Sequence, residues 1–283
     1  MTLLPFILVI FAAFLHAAWN TATKSIAHNK AVPYLGFLFI SILALPVVLI
    51  QPGATGTIVD YWYLFLITGI VHASYYLMLL YAYSRYEISV IYPISRGASI
   101  VLPLAFSLVI LNDSLHTGSL IGITLIVLGI LVKGFHTPSQ SRSVWPSILA
   151  ALGVGILVSS YVVIDQIAIS HGIDPYLYIV GMYIVFSAVI APYIFFGRSN
   201  DVKEAITSLK RYSLFIGAAS MGAYLLVLIA FSLAPLGLIV ALRECSILFV
   251  ILFSVVFLKE KITLLNIISS LCILIGAICI KTL

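Results

Sequence analysis

The chain has 283 residues, of which 63% are hydrophobic and only 8% are charged. An ordinary soluble domain has about 25% charged residues, and a soluble fold of this size must cover its surface with polar groups. The composition therefore excludes a soluble globular protein and predicts an integral membrane protein. The net charge of +5 comes from basic residues that stand singly between apolar runs, so we expect no nucleic-acid-binding surface.

Ten apolar runs of about 20 residues follow one another along the chain and predict ten transmembrane helices. Helices satisfy their own backbone polar groups in lipid, so the fold class is an all-α integral membrane protein. No basic segment or small-residue cleavage site precedes the first run, which we interpret as a span and not as a signal peptide. The predicted spans are 3–22, 32–51, 60–84, 89–111, 117–135, 144–168, 174–197, 211–233, 238–258 and 262–281.

The two halves of the chain repeat each other. At a spacing of 147 residues Arg96 matches Arg243, Ser99 matches Ser246, Ser107 matches Ser254, Asp113 matches Glu260 and Gly129 matches Gly276; at 148 residues Tyr76 matches Tyr224. We divide the chain into repeats 1–137 and 138–283, with five spans each. Because five is odd, the second repeat enters the membrane from the opposite side, which is the inverted repeat of many secondary transporters.

The charges of the connections predict the orientation. The odd-numbered connections contain eleven lysines and arginines and the even-numbered ones contain none. The positive-inside rule places the odd connections in the cytoplasm and both termini outside it. Lys281, near the C-terminus, departs from this pattern.

Several segments resemble a known family. HAAWNTATK (16–24), YPISRG (92–97), LAPLG (233–237) and ALRECSILFVILFSVVFLKE (241–260), placed on two five-helix halves, are similar to EamA-type transporters of the drug/metabolite transporter superfamily. The resemblance implies that spans one, three, four, six, eight and nine line a central cavity, while spans five and ten serve packing. It also implies a small-molecule substrate such as an amino acid, another metabolite, a nucleotide sugar or an organic phosphate, and a bacterial inner membrane.

Arg96 and Arg243 are the first candidate substrate-binding residues. Arg96, Ser99 and Ser107 share one helix face, and Arg243 and Ser246 begin the same pattern in the other half. A buried arginine costs about 2.5–3.5 kcal/mol on insertion scales, and its planar fork suits a carboxylate or phosphate. The alternatives are structural ion pairs, or side chains that reach the nearby helix ends.

Glu244 follows Arg243 but points about 100° away around the helix. It can pair with Arg96 across the two halves or bind a proton during transport. If the pair forms, one arginine is left for a monoanionic or zwitterionic substrate. Coupling to protons stays open.

Further polar and aromatic residues extend the candidate site. His16 and Asn20 share a face of the first span, and Asp165 lies near the end of the sixth, where we expect water to reach it. His16 and Asp165 are candidate substrate or proton ligands, or interhelical hydrogen-bonding groups. His72 shares a face of the third span with Tyr76. Together with Tyr224, Trp19 and Tyr92, these two residues could line an aromatic pocket for the substrate. The alternative is that their rings only pack between helices or lie at the membrane interface.

Two proline positions predict an asymmetry between the halves. Pro93 and Pro103 lie in the fourth span and have no counterpart in the ninth. Each removes a helix hydrogen bond and can kink the span, so we expect the two halves to bend unequally during transport. The three cysteines fall inside apolar runs without metal-ligand spacing. We therefore predict packing roles for them, with no metal site and no cofactor.

The sequence predicts a secondary transporter that exports or exchanges a small polar metabolite by alternating access. An intramembrane enzyme would need a nucleophile–base set or an HExxH-type metal motif, and a scaffold or receptor would normally carry an appended soluble domain. Neither feature is found in the sequence. The alternative within transport is a proton-coupled exporter of cationic drugs, which would need an uncompensated carboxylate in the cavity.

Overall fold

The computed structural model describes residues 1–26, 28–86, 88–113, 115–134, 145–258 and 264–282. Within these ranges the chain forms twelve α-helices and no β-strand. The helices are α1 (Leu3–Ser25), α2 (Ala31–Leu49), α3 (Ala54–Arg85), α4 (Ile88–Val109), α5 (Thr117–Gly134), α6 (Trp145–Ser170), α7 (Pro175–Gly197), α8 (Ser199–Thr207), α9 (Lys210–Phe231), α10 (Leu236–Arg243), α11 (Ser246–Leu258) and α12 (Leu264–Thr282).

Seven helical segments are long and apolar enough to cross a membrane. They are α1, α2, α3, α6, α7, α9 and the combined segment Leu236–Phe257. Shorter apolar helical segments are Ile94–Val109, Thr117–Val132 and Ile267–Thr282. The protein is therefore an all-helical, multi-pass membrane protein, and each of the ten predicted apolar runs coincides with helical structure.

The ninth apolar run is broken, contrary to the prediction of a continuous helix. Helix α10 ends at Arg243, and α11 begins at Ser246. At the break the backbone N–H of Glu244 bonds to the carbonyl of Ala241, and that of Cys245 bonds to the carbonyl of Leu242. These bonds span three residues, as in a 3₁₀ turn, in which residues three positions apart lie on the same side of the helix. The common face of Arg243 and Ser246 therefore stays a prediction.

Helix α4 runs without interruption from Ile88 to Val109 through both prolines, and the unequal bending of the two halves stays a prediction. The interruption lies instead in the proline-free ninth run. Proline position alone did not predict it, since the break coincides with the buried charged pair Arg243 and Glu244.

Small residues bring α5 and α12 into close contact. A Cβ atom on Gly122 would lie 2.6 Å from the carbonyl oxygen of Gly276, and one on Gly129 would lie 2.9 Å from the carbonyl oxygen of Ser269. The partner number falls as the residue number rises, so the two helices run antiparallel. Close backbone approach through small residues is the usual way that helices associate in lipid.

The polar connection 198–211 contains the short helix α8, which the sequence analysis did not predict. Asn29, in the connection between α1 and α2, donates its side-chain N–H to Glu204 Oε2 at 2.8 Å and to the carbonyl of Asp201 at 2.9 Å. The Asn29 Oδ1 atom in turn accepts from the backbone N–H of Ala31 and Val32. A single asparagine thus caps α2 and ties it to α8.

Candidate functional site

A fully buried carboxylate joins four helices. Asp165 on α6 has no exposed surface, and its Oδ1 atom accepts hydrogen bonds from Thr68 Oγ1 on α3 at 2.6 Å and from the Tyr178 hydroxyl on α7 at 2.7 Å. Its Oδ2 atom accepts a short hydrogen bond from the Tyr224 hydroxyl on α9. A buried carboxylate requires such partners, because leaving it unpaired in a low-dielectric interior is costly.

The expectation that water reaches Asp165 at the end of its span is wrong. The residue lies five positions before the end of α6, but side chains from α3, α7 and α9 cover it completely. Its interhelical hydrogen bonding is confirmed. Nothing in the sequence marks Thr68 and Tyr178 as partners of Asp165, and only the folding of α3 and α7 brings their hydroxyl groups there.

His72 connects this carboxylate to the arginines. Its Nδ1 atom lies 2.9 Å from the carbonyl of Thr68 and 3.3 Å from Thr68 Oγ1. The imidazole stacks on the ring of Tyr161, with centroids 3.9 Å apart, and meets the ring of Tyr224 edge-on at 5.7 Å. Tyr161 in turn lies within electrostatic range of Arg243.

Arg243 is buried, with 8% of its surface exposed. Among the described residues it forms no ion pair. Its guanidinium lies within electrostatic range of Tyr224 and Glu244. The guanidinium group of an arginine carries five N–H donors and no acceptor.

Arg96 and Glu244 form the ion pair that the sequence analysis raised as one possibility. Arg96 Nη1 lies 3.2 Å from Glu244 Oε1, and the side chain of Glu244 is only 3% exposed. The other oxygen, Oε2, is buried and has no hydrogen-bond partner within the described part of the chain. The pair joins α4 to the break between α10 and α11.

His16 on α1 lies close to the same centre. The charges of Arg243 and Arg96 both act on its ring, and the ring packs edge-on against Trp19 with centroids 5.2 Å apart. Asn20 donates its side-chain N–H to the carbonyl of His16 at 2.7 Å, so this hydrogen bond stays within α1.

The remaining candidates are dispersed. The ring of Tyr76 packs edge-on against Phe186 at 5.8 Å in an apolar cluster separate from the one that contains Tyr224. The structure therefore does not bring together the matched pair Tyr76 and Tyr224. Ser99 donates to the carbonyl of Arg96, and Ser246 is buried at the start of α11.

A few sequence candidates lie outside the described residues or side chains. Glu260 falls in a range that the structure does not describe, and the side chains of Tyr92 and Ser254 are likewise not described. In the first half, Ser107 Oγ donates to Asp113 Oδ2 at 2.5 Å. The acidic residue that follows α4 therefore folds back onto the end of that helix.

Comparison with known proteins defines the family. Residues 145–282 match the sequence profile of the EamA-like transporter family. A solved crystal structure aligns with 98% of this chain and 96% of its own chain, with a TM-score of 0.73 and 17% identity. At that identity the likeness shows a common fold over nearly the whole length. No curated protein matches the sequence significantly.

The buried polar centre, the apolar helices and the profile match together define a class, the multi-pass membrane transporters. Within that class, residues 145–282 form an EamA-like transporter domain, which is consistent with the drug/metabolite transporter superfamily. Members of this family move solutes across membranes and are not enzymes.

Proposed function

We propose that the protein is a secondary transporter with ten membrane-crossing helices, arranged as the inverted repeats 1–137 and 138–283. In this arrangement α1 to α5 correspond to α6, α7, α9, the α10–α11 pair and α12, while α8 lies outside the repeat. The family match at residues 145–282 falls within the second repeat.

The contact between α5 and α12 supports the repeat. Gly122 approaches Gly276, and Gly129 approaches Ser269. Adding the repeat spacing of 147 to 129 gives 276, and adding it to 122 gives 269, so the two contacts are equivalent under exchange of the halves. Equivalent helices that run antiparallel are expected when the halves have opposite membrane topologies.

Other packed pairs of helices also have an equivalent pair when the two halves are exchanged. Helix α1 packs on α9 as α6 packs on α3, and α2 packs on α9 as α7 packs on α3. Together with the basic residues of the odd connections, this arrangement supports both termini being non-cytoplasmic. We assign the protein to a bacterial inner membrane on its family resemblance.

The transported solute is a small polar metabolite with an anionic group: an amino-acid-like zwitterion, a carboxylate or an organic phosphate. The observation that carries this proposal is Arg243, which is buried at the helix break and has no carboxylate partner in the described chain. Its planar guanidinium can bind a carboxylate or phosphate through two parallel hydrogen bonds. Broken helices at the centre of a membrane fold are typical of substrate sites in secondary transporters.

Glu244 extends the site to zwitterions. Its Oε1 atom bonds Arg96, and its buried Oε2 atom remains available to a donor. An amino acid that places its carboxylate on Arg243 can place its ammonium group on Glu244 Oε2. Arg96 then acts as the residue that positions Glu244.

The other candidates have different roles in this proposal. His16 and His72 flank the arginines as polar walls, and Tyr224 joins the site to Asp165. Ser99, Ser246, Asn20 and Tyr76 are proposed to line the route of the solute at a distance from Arg243.

The second candidate function is proton-coupled export of cationic drugs, which the unpartnered Glu244 Oε2 favours. Against it, Arg96 and Arg243 both lie beside Glu244, and two arginines repel a cation. The three hydroxyl groups around Asp165 leave that carboxylate no room for direct contact with a bulky drug.

A thermal-shift screen tests the proposal. Purified protein in detergent is heated with panels of amino acids, carboxylates, organic phosphates and lipophilic cations, because a ligand that binds the folded state raises its stability. We expect stabilisation by anionic or zwitterionic solutes that Arg243→Ala abolishes and the exposed control Arg211→Ala retains. Stabilisation by lipophilic cations alone, equal in all three proteins, would favour the drug exporter.

A further inference from the structure

The charges at the centre of the membrane fold balance. Among the described residues, the charged groups there are the buried side chains of Arg243, Asp165 and Glu244 and the half-buried side chain of Arg96. Arg96 and Glu244 neutralise each other directly. Asp165 and Arg243 share no salt bridge, but Tyr224 and His72 each lie within electrostatic range of both.

A monoanion that binds Arg243 upsets this balance. It adds one negative charge to a region where an uncompensated charge is unfavourable, because a medium of low dielectric constant screens electrostatic interactions only weakly. The balance returns if Asp165 takes up one proton. We propose that Asp165 is a proton-binding site, and that one proton binds there together with each anion at Arg243. This inference rests on the proposed function, since it concerns the same solute site.

The surroundings of Asp165 suit both of its protonation states. Hydroxyl groups donate to a carboxylate, and the same oxygens accept from a carboxylic acid. After protonation, the new O–H can therefore donate to the Thr68, Tyr178 or Tyr224 oxygen, whose own hydrogen turns to another acceptor. The protonated side chain stays hydrogen-bonded without movement of the backbone.

A short path for the proton passes through His72. Thr68 Oγ1 lies 2.6 Å from Asp165 Oδ1 and 3.3 Å from His72 Nδ1. The His72 Nε2 atom makes no hydrogen bond with the described residues, and the side chain is half-buried. Chains of histidines and acidic residues are the usual proton relays of membrane transporters.

Other titratable and charged groups contact Asp165 or lie around its neighbours, and they define the controls. They are His72 on α3, Arg96 on α4, Tyr161 on α6, Tyr178 and Tyr183 on α7, Tyr224 on α9, and Arg243 and Glu244 at the helix break. Of these, only Glu244 is a second carboxylic acid. Glu244→Gln therefore distinguishes the two acids.

The first arm of the test needs no ligand. Infrared difference spectra are recorded as the pH is lowered from neutral to mildly acidic values. We expect the carbonyl band of a buried carboxylic acid in the wild type and in Glu244→Gln, and no such band in Asp165→Asn. A wild-type spectrum without this band, or a band that survives in Asp165→Asn, overturns the proposal.

The second arm measures linkage. Pyruvate serves as the monoanion probe, inorganic phosphate as a second anion and glycine as the zwitterion probe, with binding followed by thermal shift. For one coupled proton the affinity of the wild type for the anion rises about tenfold for each unit of pH decrease. In Asp165→Asn, which is permanently neutral at this position, the anion binds without that pH dependence, and glycine binding is independent of pH in both proteins.

A pH dependence that is equal in wild type and Asp165→Asn overturns the proposal. If Asp165→Asn does not fold, the coupling is tested by proton uptake in the wild type. The uptake is measured with a pH indicator in weakly buffered solution as pyruvate is added. We expect one proton per bound anion, and anion binding without uptake overturns the coupling. If none of the three probes binds, the proposed solute class fails, while the infrared arm still decides whether Asp165 binds a proton.

Discussion

Arg96 of the fourth helix and Glu244 of the broken ninth run form an ion pair, 3.2 Å apart, that joins the two halves of the chain. Each residue is held in a membrane-spanning region where an isolated charge is costly. The pair lies at the helix break, next to the buried Arg243.

Loss of both partners of this pair should cost less stability than the two single losses added together. Arg96→Gln leaves Glu244 buried without its counter-charge, and we expect a cost of about 3–5 kcal/mol. The double variant with Glu244→Gln should cost clearly less than the sum of the two single changes. Thermal and denaturant unfolding in detergent measure these differences. Additive costs would mean that the two side chains do not interact in the folded protein.

The hydroxyl groups around Asp165 should contribute more than other buried hydroxyls. Tyr178→Phe removes one donor from a buried carboxylate, and a hydrogen bond to a charged group is worth about 1.5–3 kcal/mol. Tyr76→Phe is the matched control, because the Tyr76 hydroxyl makes no hydrogen bond with the described residues. The free energy of unfolding of this variant should stay nearly unchanged. Equal effects in unfolding experiments would argue against the hydrogen bonds of Asp165.

A methyl group should not fit between α5 and α12. Gly122→Ala would place a Cβ atom 2.6 Å from the Gly276 carbonyl oxygen, and a backbone atom cannot move aside as a side chain can. We expect a loss of about 1–3 kcal/mol. Gly56→Ala on α3 is the control, since a Cβ there meets no atom within 4 Å. It should be neutral or slightly stabilising, because alanine favours a helix over glycine.

Acid should release α8 from the connection between α1 and α2. The hydrogen bond from Asn29 lowers the pKa of Glu204, and the hydrogen bond and charge of His28 lower it further. A carboxyl group with a lowered pKa in the folded protein contributes stability above its unfolded-state pKa, and this contribution disappears as the pH falls through the folded-state value.

The measurement is hydrogen exchange of the α8 amides at several pH values, expressed as protection factors. Protection in the wild type should fall as the pH drops below about 4, whereas Glu204→Gln should show low protection with little dependence on pH. Identical pH profiles for the two proteins would show that Glu204 does not hold α8 in place.

The length of the apolar runs was sufficient to predict ten helical regions, because membrane helices are specified mainly by local composition. The Arg96–Glu244 pair could be raised as a possibility from the repeat, since few other charges were available inside the spans. The three donors around Asp165 could not be predicted. They come from three helices whose rotation about their axes depends on packing, and a face defined by sequence spacing does not say which neighbour it meets.

The same limit explains the errors. Tyr76 and Tyr224 match in the sequence, but Tyr76 contacts Phe186 while Tyr224 reaches Asp165. The two halves have different residues opposite these positions, so a matched pair need not share a site. The break at Glu244 is not marked by proline or glycine; it accompanies two consecutive charged residues buried among helices.

The most direct test of the account is transport by wild type and Arg243→Ala in proteoliposomes. Counterflow of the solute that stabilises the wild type most strongly is measured for both, with Arg211→Ala as the exposed control. Loss of a charge-assisted hydrogen bond of about 1.5–3 kcal/mol predicts an affinity for the solute about ten- to a hundredfold weaker in Arg243→Ala, with the control unchanged. Equal counterflow and equal affinity in all three proteins would contradict the role of Arg243 in binding the solute.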